Sequence, residues 1–227
     1  MYDLSIIGAG WAGFNDALRE KKLGLKVCLL EGNQIGGTCL NRGCIPTKAL
    51  IQSAKIYSLA KKSSVFGIES DNLRINFSKI QERKEKIVKL LRLGMQSRLA
   101  GIDFINSYAE IISGNEIKTS AGVIKSKFML IATGSQPTEI PKLAFDHLKV
   151  ITSDDVLSLT EIPQSLLIIG GGVIGCEFAG LFSTLGSQVS IVEKMPFILP
   201  NEDQEVIRKM GVIFKKKGIE VSTDTDA

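Results

Sequence analysis

Hydrophobic residues follow two spacings along this chain, and glycine marks the changes between them. Short, mostly apolar runs, such as LSII at 4–7, VCLL at 27–30, FMLI at 128–131 and LLII at 166–169, read as strands buried in a sheet. Between them the spacing relaxes to a helical period. Residues 44–62 read as a helix with Pro46 tolerated in its first turn. In 77–100 apolar residues at 77, 80, 87, 91 and 95 predict another. Short apolar runs between 102 and 131, broken by SGN at 113–115 and SAG at 120–122, predict a small meander of strands. KFMLIATGSQP at 127–137 reads as a buried strand ending in a glycine turn, and 138–164, with prolines at 141 and 163, as a connection. GIEVST at 218–223 is one further strand.

The pattern repeats. DLSIIGAGWAGFNDALREKKLGLKVCLLE at 3–31 and SLLIIGGGVIGCEFAGLFSTLGSQVSIVE at 165–193 match element for element at an offset of 162 residues. Each passes from an apolar run into G-x-G-x-x-G, as Gly8, Gly10, Gly13 and as Gly170, Gly172, Gly175. Each continues through a helical stretch to Leu-Gly and ends a second apolar run on a glutamate, Glu31 or Glu193. This is strand, tight turn, helix, strand. The first glycine permits the turn, the second lets backbone approach a pyrophosphate, and the third lets helix pack on strand. The helix N-terminus then offers N–H groups and a positive dipole end to phosphate. A carboxylate 18 residues beyond the last glycine can accept hydrogen bonds from a ribose diol. One such motif also fits an ordinary glycine-rich turn. Two, each behind an apolar strand and each with its glutamate, point to two dinucleotide sites and to hydride or electron transfer between two cofactors.

The fold expected is α/β: two dinucleotide-binding, Rossmann-like βαβ domains with a small β-meander insertion. The first is expected over 1–150 and the second over 151–227, the latter incomplete with three strands at most against the six of a full Rossmann sheet.

Composition narrows the partners. The 227 residues are 44% hydrophobic, ample for a core, and carry 28 basic against 24 acidic residues for a net charge of +4. No basic block is present, which argues against nucleic acid. The densest charge run, QERKEKIVK at 81–89, mixes signs like the solvated face of a helix. No apolar run approaches the roughly 18 residues of a membrane span, and no signal peptide is visible. The expectation is a soluble cytoplasmic protein, with an organelle as the alternative compartment.

Two of the four cysteines, Cys39 and Cys44, lie five positions apart in GGTCLNRGCIPTKAL at 36–50. A metal site lacks ligands: Cys28 lies in a strand, Cys176 in a helix, and His147, the single histidine, in a connecting loop. No metal is expected. A purely structural staple is disfavoured in a reducing compartment. Beside a dinucleotide site the pair reads best as a thiol–disulfide couple.

GGTCLNRGCIPTKAL closely resembles the redox-active segment of the pyridine nucleotide–disulfide oxidoreductases. GAGWAG…LLE, LIATGSQP and GGGVIGCEF…IVEKMPFILPNED follow that family in order and spacing over essentially the whole chain. The likeness is greatest to members that oxidise dihydrolipoyl groups of a 2-oxo acid dehydrogenase complex or a glycine cleavage system.

The resemblance implies that Gly8, Gly10 and Gly13 cradle the pyrophosphate of FAD, with Glu31 on its adenosine ribose. Gly37, Thr38 and Cys39 would line the flavin, Ala109 would meet the adenine end through backbone, and Thr133, Gly134 and Ser135 would border the cofactor. Cys39 would exchange with substrate sulfur, and Cys44 would face the flavin ring and pass electrons into it. Lys48 would sit near flavin N5, paired with Glu177 beside the nicotinamide. Gly170, Gly172, Gly175 and Glu193 would hold the second dinucleotide, and a carboxylate with no arginine pair after it favours NAD over NADP. By the residues alone, Lys48 is an ordinary helix lysine and Glu177 a first-turn carboxylate favoured by the helix dipole. Cys28 and Cys176 are expected in the core, and His147 on the surface.

The sequence departs from the family in three places. Asn15 and Asp16 stand where small residues are usual, and Arg42 where an apolar one is common. Members are also longer, so the chain resembles an N-terminal part of one. The catalytic His–Glu pair of the family lies in a dimerisation domain that has no counterpart here. Two readings follow: part of a homodimeric enzyme passing electrons from a dithiol through Cys39–Cys44 and FAD to NAD⁺, or a shortened member that binds flavin at most. A mercuric-ion-reducing member is a further alternative, although its additional cysteines are missing.

Overall fold

A computed structural model describes residues 1–141 and 143–226. The chain divides into two compact units, Met1–Pro46 with Glu85–Asp154, and Thr47–Lys84 with Asp155–Ala227. Residues 47–84 thus group with the second glycine repeat, although they precede the meander in sequence.

The first unit is built on β1 (Tyr2–Ile7), α1 (Trp11–Lys22) and β2 (Val27–Glu31). Two short elements follow, α2 (Gly37–Arg42) and the start of α3 (Cys44–Lys61). The C-terminal part of α4 (Phe77–Arg98) leads to β3 (Asp103–Asn106), β4 (Glu110–Ser113), β5 (Glu116–Thr119) and β6 (Gly122–Ile131). The strands form one sheet in the order β3-β2-β1-β6-β5-β4. β1 runs parallel to both β2 and β6, with Ile6 opposite Leu29 on one side and Leu130 on the other. β3 pairs parallel with β2, so it extends the central sheet, while β4 and β5 form the antiparallel meander.

Alternation along β1 and β2 explains their unbroken apolar runs. Ile6 and Leu29 enter a core with Phe14, Ala17, Leu40, Met95 and Leu99. Their neighbours Ile7, Cys28 and Leu30 point to the opposite face and pack with Ile117 of the meander. A strand covered on both faces needs no polar positions. β6 differs from its expected burial: Phe128 and Ile131 are largely exposed, while Leu130 and Met129 pack against the two opposite cores.

The second unit contains α5 (Ser153–Val156) in part, then β7 (Ser165–Ile169), α6 (Val173–Leu185), β8 (Gln188–Val192), α7 (Gln204–Lys216) and β9 (Glu220–Ser222). Among the described residues its strands are all parallel, in the order β7-β8-β9. This is the β-α-β-α-β half of a doubly wound fold. The repeated Leu-Gly ends a helix in both places, with Gly24 at φ +85° and Gly186 at φ +111°, where a side chain would be strained. The mixed charge run at 81–89 is not uniformly solvated. Lys84 is 4% exposed, and its Nζ donates to the Leu157 carbonyl at 2.6 Å.

Candidate functional site

The two glycine turns have the same backbone form. Gly8 and Gly170 adopt φ of +104° and +103°. Gly10 and Gly172 cap α1 and α6 at φ −68° and −70°, both with ψ −177° and neither helix capped by a side chain. The N-cap glycine of each helix has no side chain to accept from the first-turn N–H groups, and no acidic residue stands in either first turn. A Cβ on Gly13 would lie 2.0 Å from the Gly8 carbonyl oxygen, and one on Gly175 2.1 Å from that of Gly170. The third glycine of each motif is thus demanded by packing of helix on turn. The second glycine is different. A Cβ on Gly10 would meet only the Gly37 Cα at 3.7 Å, and one on Gly172 would meet nothing within 4 Å. Its absence keeps clear the surface that an anion at the helix end would occupy.

The two glutamates also share one arrangement. Glu31 accepts the Ala9 N–H and the Asn33 N–H, each at 2.8 Å. Glu193, only 8% exposed, accepts the Gly171 N–H at 2.6 Å and the Met195 N–H at 2.7 Å. Each carboxylate braces the turn beneath its own glycine motif. Its two oxygens have about four acceptor positions between them, so capacity for a ribose diol remains.

Around the first turn the chain folds back on itself. The Gly36 N–H donates to the Ala9 carbonyl at 2.8 Å. A Cβ on Gly37, which has φ +57°, would lie 2.7 Å from the Gly10 Cα. These contacts place the start of α2, and so Gly37, Thr38 and Cys39, beside the start of α1. A Cβ on Gly8 would meet the Ala132 carbonyl oxygen at 2.3 Å and the Thr133 Cα at 3.2 Å. That contact brings the exposed Thr133, Gly134 and Ser135 loop to the same turn. Ala109 is half-buried in the core under the meander. The preceding Tyr108 lays its ring over Gly32, where a Cβ would come within 2.7 Å, and its hydroxyl donates to the Asn33 side chain at 3.1 Å. Tyr108 carried no sequence signal; only the bare glycine after Glu31 hints at a ring above it.

Cys39 and Cys44 are both free thiols, half-buried and exposed respectively, and they lie close enough for the Cys44 thiol to act on the Cys39 pKa. Burial raises the Cys39 pKa above the ordinary thiol value, and the Cys44 thiol adds to the rise; the Trp11 side chain and the Cys44 backbone act to lower it. Asn41, between the two cysteines, donates to the Ile35 and Gly37 carbonyls at 3.0 Å each, and Arg42 pairs with Asp154 at 3.2 Å. By contrast Cys28 and Cys176 are buried, with pKa values pushed up to about 12 and about 11, chiefly by burial. Neither is suited to act as a thiolate near neutral pH.

In the second unit Lys48 and Glu177 meet, Nζ to Oε1, at 2.5 Å. They are 129 residues apart in sequence. Glu177 is not in the first turn of α6, where its place after the glycine motif put it, because the helix already begins at Val173; it lies in the body of the helix, clear of the buried face formed by Phe178, Leu181 and Phe182. Among the described residues no group of three or more His, Cys, Asp or Glu could hold a metal ion, and no helix is long and apolar enough to cross a membrane.

Comparison with known proteins agrees with this geometry. A dihydrolipoyl dehydrogenase of Bacillus subtilis (strain 168) is 40% identical over 230 residues, a match covering 98% of this chain and 50% of the relative. The dihydrolipoyl dehydrogenase of Acholeplasma laidlawii is 39% identical over 232 residues, covering 99% of this chain and 69% of the relative. Among solved structures, the HOCl-induced flavoprotein disulfide reductase RclA from Escherichia coli superposes with a TM-score of 0.82 at 32% identity, over 99% of this chain and 49% of that one. The chain thus spans about half the length of most of these relatives. The family described as pyridine nucleotide-disulphide oxidoreductase matches residues 2–227. Repeated glycine turns, their bracing glutamates and a paired thiol couple agree with that match from end to end, and the chain belongs to the pyridine nucleotide-disulphide oxidoreductase family.

Proposed function

We propose that this chain belongs to an FAD-dependent dithiol–disulfide oxidoreductase that oxidises dihydrolipoyl groups and delivers their electrons to NAD⁺. The observation that carries the reading is the Cys39–Cys44 couple, two reachable thiols in mutual contact beside an uncapped glycine turn. The names of the dihydrolipoyl dehydrogenase relatives supply the substrate class.

The first unit suits FAD. Its glycine turn leaves the α1 N-terminus open where a pyrophosphate would lie, and Glu31 retains acceptor capacity for the ribose. Gly37, Thr38, Ala109, Thr133, Gly134 and Ser135 complete the surface assigned to it. The second unit repeats that cradle at Gly170, Gly172, Gly175 and Glu193 for NAD, with Lys48 and Glu177 as an ion pair at its side.

In the oxidised couple, a substrate thiolate attacks the Cys39 sulfur. A substrate–Cys39 bond forms, the Cys39–Cys44 bond breaks, and its electron pair leaves on Cys44. The second substrate thiolate then attacks the substrate sulfur of the mixed disulfide and releases Cys39 as a thiolate. The substrate ends as a disulfide, and its two electrons rest on the cysteine couple. FAD, when bound, accepts those electrons and relays them to NAD⁺. The family relationship further suggests a homodimer in the longer form.

The test is a thiol titration of the native protein before and after dihydrolipoamide. After mild oxidation Cys39 and Cys44 should both be unreactive, and dihydrolipoamide should restore both, with NAD⁺ reduced in step when FAD is bound. Cysteines 39 and 44 that titrate as free thiols after oxidation would sink the reading. Restoration by dihydrolipoamide without NAD⁺ reduction would leave a dithiol exchanger and remove the nicotinamide step.

A further inference from the structure

Arg92 places a cation in an apolar stripe. Along α4, Val88, Met95 and Leu99 are buried. The steps from 88 to 92, 95 and 99 are four, three and four residues, so Arg92 lies on the same helix face. Met95 and Leu99 share a core cluster with Leu40 of α2, and that face therefore meets the helix that carries Cys39. Core packing alone would favour an apolar residue at 92. Instead the half-buried Arg92 donates from Nε to the Asn41 Oδ1 at 3.1 Å.

Asn41 stands between the two cysteines and uses both ends of its amide. Its Nδ2 donates to the Ile35 and Gly37 carbonyls at 3.0 Å each, with the Gln34 carbonyl further off at 3.4 Å. A carbonyl only accepts and a guanidinium only donates, so the amide has one workable orientation. Turned over, it would set oxygen against carbonyl oxygens and NH₂ against the guanidinium. Arg92 thus fixes Asn41, and Asn41 fixes the backbone from 34 to 37. Beyond Asn41 the chain doubles back. A Cβ on Gly43 would lie 3.0 Å from the Thr38 carbonyl oxygen and 3.3 Å from the Cys39 Cα, which brings the next residue, Cys44, to Cys39.

We propose that Arg92 is a positioning residue for the cysteine couple, acting through Asn41 to hold the 39–44 turn ready for disulfide closure. The inference rests on the redox role assigned to the couple above. A turn already ordered in the dithiol loses less freedom when the S–S bond forms, so the anchor raises the effective concentration of one thiol at the other. Removing the anchor frees the dithiol more than the disulfide, whose own bond still restrains the turn. The couple then becomes easier to reduce.

The test is equilibration of the full chain with glutathione buffers of stepped ratio, followed by alkylation and peptide mass spectrometry of Cys39 and Cys44. Closure joins the two sulfurs, and their two electrons and two protons pass to glutathione disulfide, which becomes two glutathione thiols. Arg92→Met keeps an apolar stem and removes the donors. It should lower the equilibrium constant for closure about fivefold, the scale of one hydrogen bond, and Arg92→Lys, which keeps a donor, should recover part of the loss. In an Asn41→Ala background Arg92→Met should have no further effect. A role in packing alone would lower the melting temperature and leave the constant unmoved. An unchanged constant in Arg92→Met, or an equal drop with and without Asn41, overturns the proposal. Should Arg92→Met open the fold and expose Cys28 to alkylation, Asn41→Ala decides by itself: it must lower the constant at least as far, and a constant equal to wild type overturns the proposal. A wild-type couple that stays reduced at every ratio would sink the redox reading and this role with it, whereas a wild type that oxidises and an Arg92→Met that matches it would sink this role alone.

Discussion

Replacing Gly13 by alanine isolates the packing demand of the first glycine motif from its binding demand. The new Cβ would stand 2.0 Å from the Gly8 carbonyl oxygen and 2.9 Å from Ile6 Cγ2, where ordinary contact begins at 3.4 Å. The carbonyl belongs to backbone and cannot rotate away, so α1 would have to move outward by about 1.4 Å. That movement would disturb Phe14 and Ala17, both fully buried against Ile6 and Leu29. Overpacking of this kind costs about 3 kcal/mol, or about 10 °C in melting temperature for a chain of this size. Gly180→Ala is the matched control. Gly180 lies inside α6 with no atom within 4 Å of an added Cβ, so helix propensity should stabilise that variant by up to about 1 kcal/mol. Thermal melting followed by circular dichroism reads both. Two changes identical in chemistry should therefore shift stability with opposite signs. Gly13→Ala melting within a degree or so of wild type would show that the close helix–turn approach is not what selects glycine there.

Two further outcomes follow from charge and burial. Lys48 and Glu177 are both partly exposed, so Lys48→Ala or Glu177→Ala should change stability by no more than about 1 kcal/mol; a loss above 3 kcal/mol on denaturant unfolding would make the pair structural. Cys28, buried, has its pKa raised from 9.0 to about 12. The folded protein therefore holds that proton where the unfolded chain releases it. Its stabilising contribution is complete below pH 9 and is lost as pH rises toward about 12. Melting temperatures of Cys28→Ala should fall less steeply over that interval than those of wild type, and parallel slopes would count against the assignment.

What could be read from the sequence and what could not divides along a physical line. The strands, the helices after each glycine turn, and the Leu-Gly stops depend on contacts within a few residues, so periodicity exposes them. The repeat exposes more: Glu31 and Glu193 brace equivalent turns because the same 18-residue spacing returns each carboxylate to its own motif. Pairings across longer spans leave no local trace. β3 looked like the first strand of a meander, yet its partner is β2, because a four-residue strand has no periodicity to announce a parallel neighbour. Lys84, in a charge run suited to solvent, is buried because the Leu157 carbonyl needs a donor.

The same division runs through the candidate site. Its cysteines stand out by spacing, but one of the groups that act on Cys39, Trp11, comes from elsewhere in the chain. Trp11 occupies an open place in a motif whose glycines draw all the attention, and only the meeting of α1 with α2, where Gly37 approaches Gly10, brings it near Cys39. A glycine motif specifies the backbone of a turn and leaves its intervening positions free. One of those free positions is therefore where a side chain can act on a neighbouring thiol without altering the turn itself.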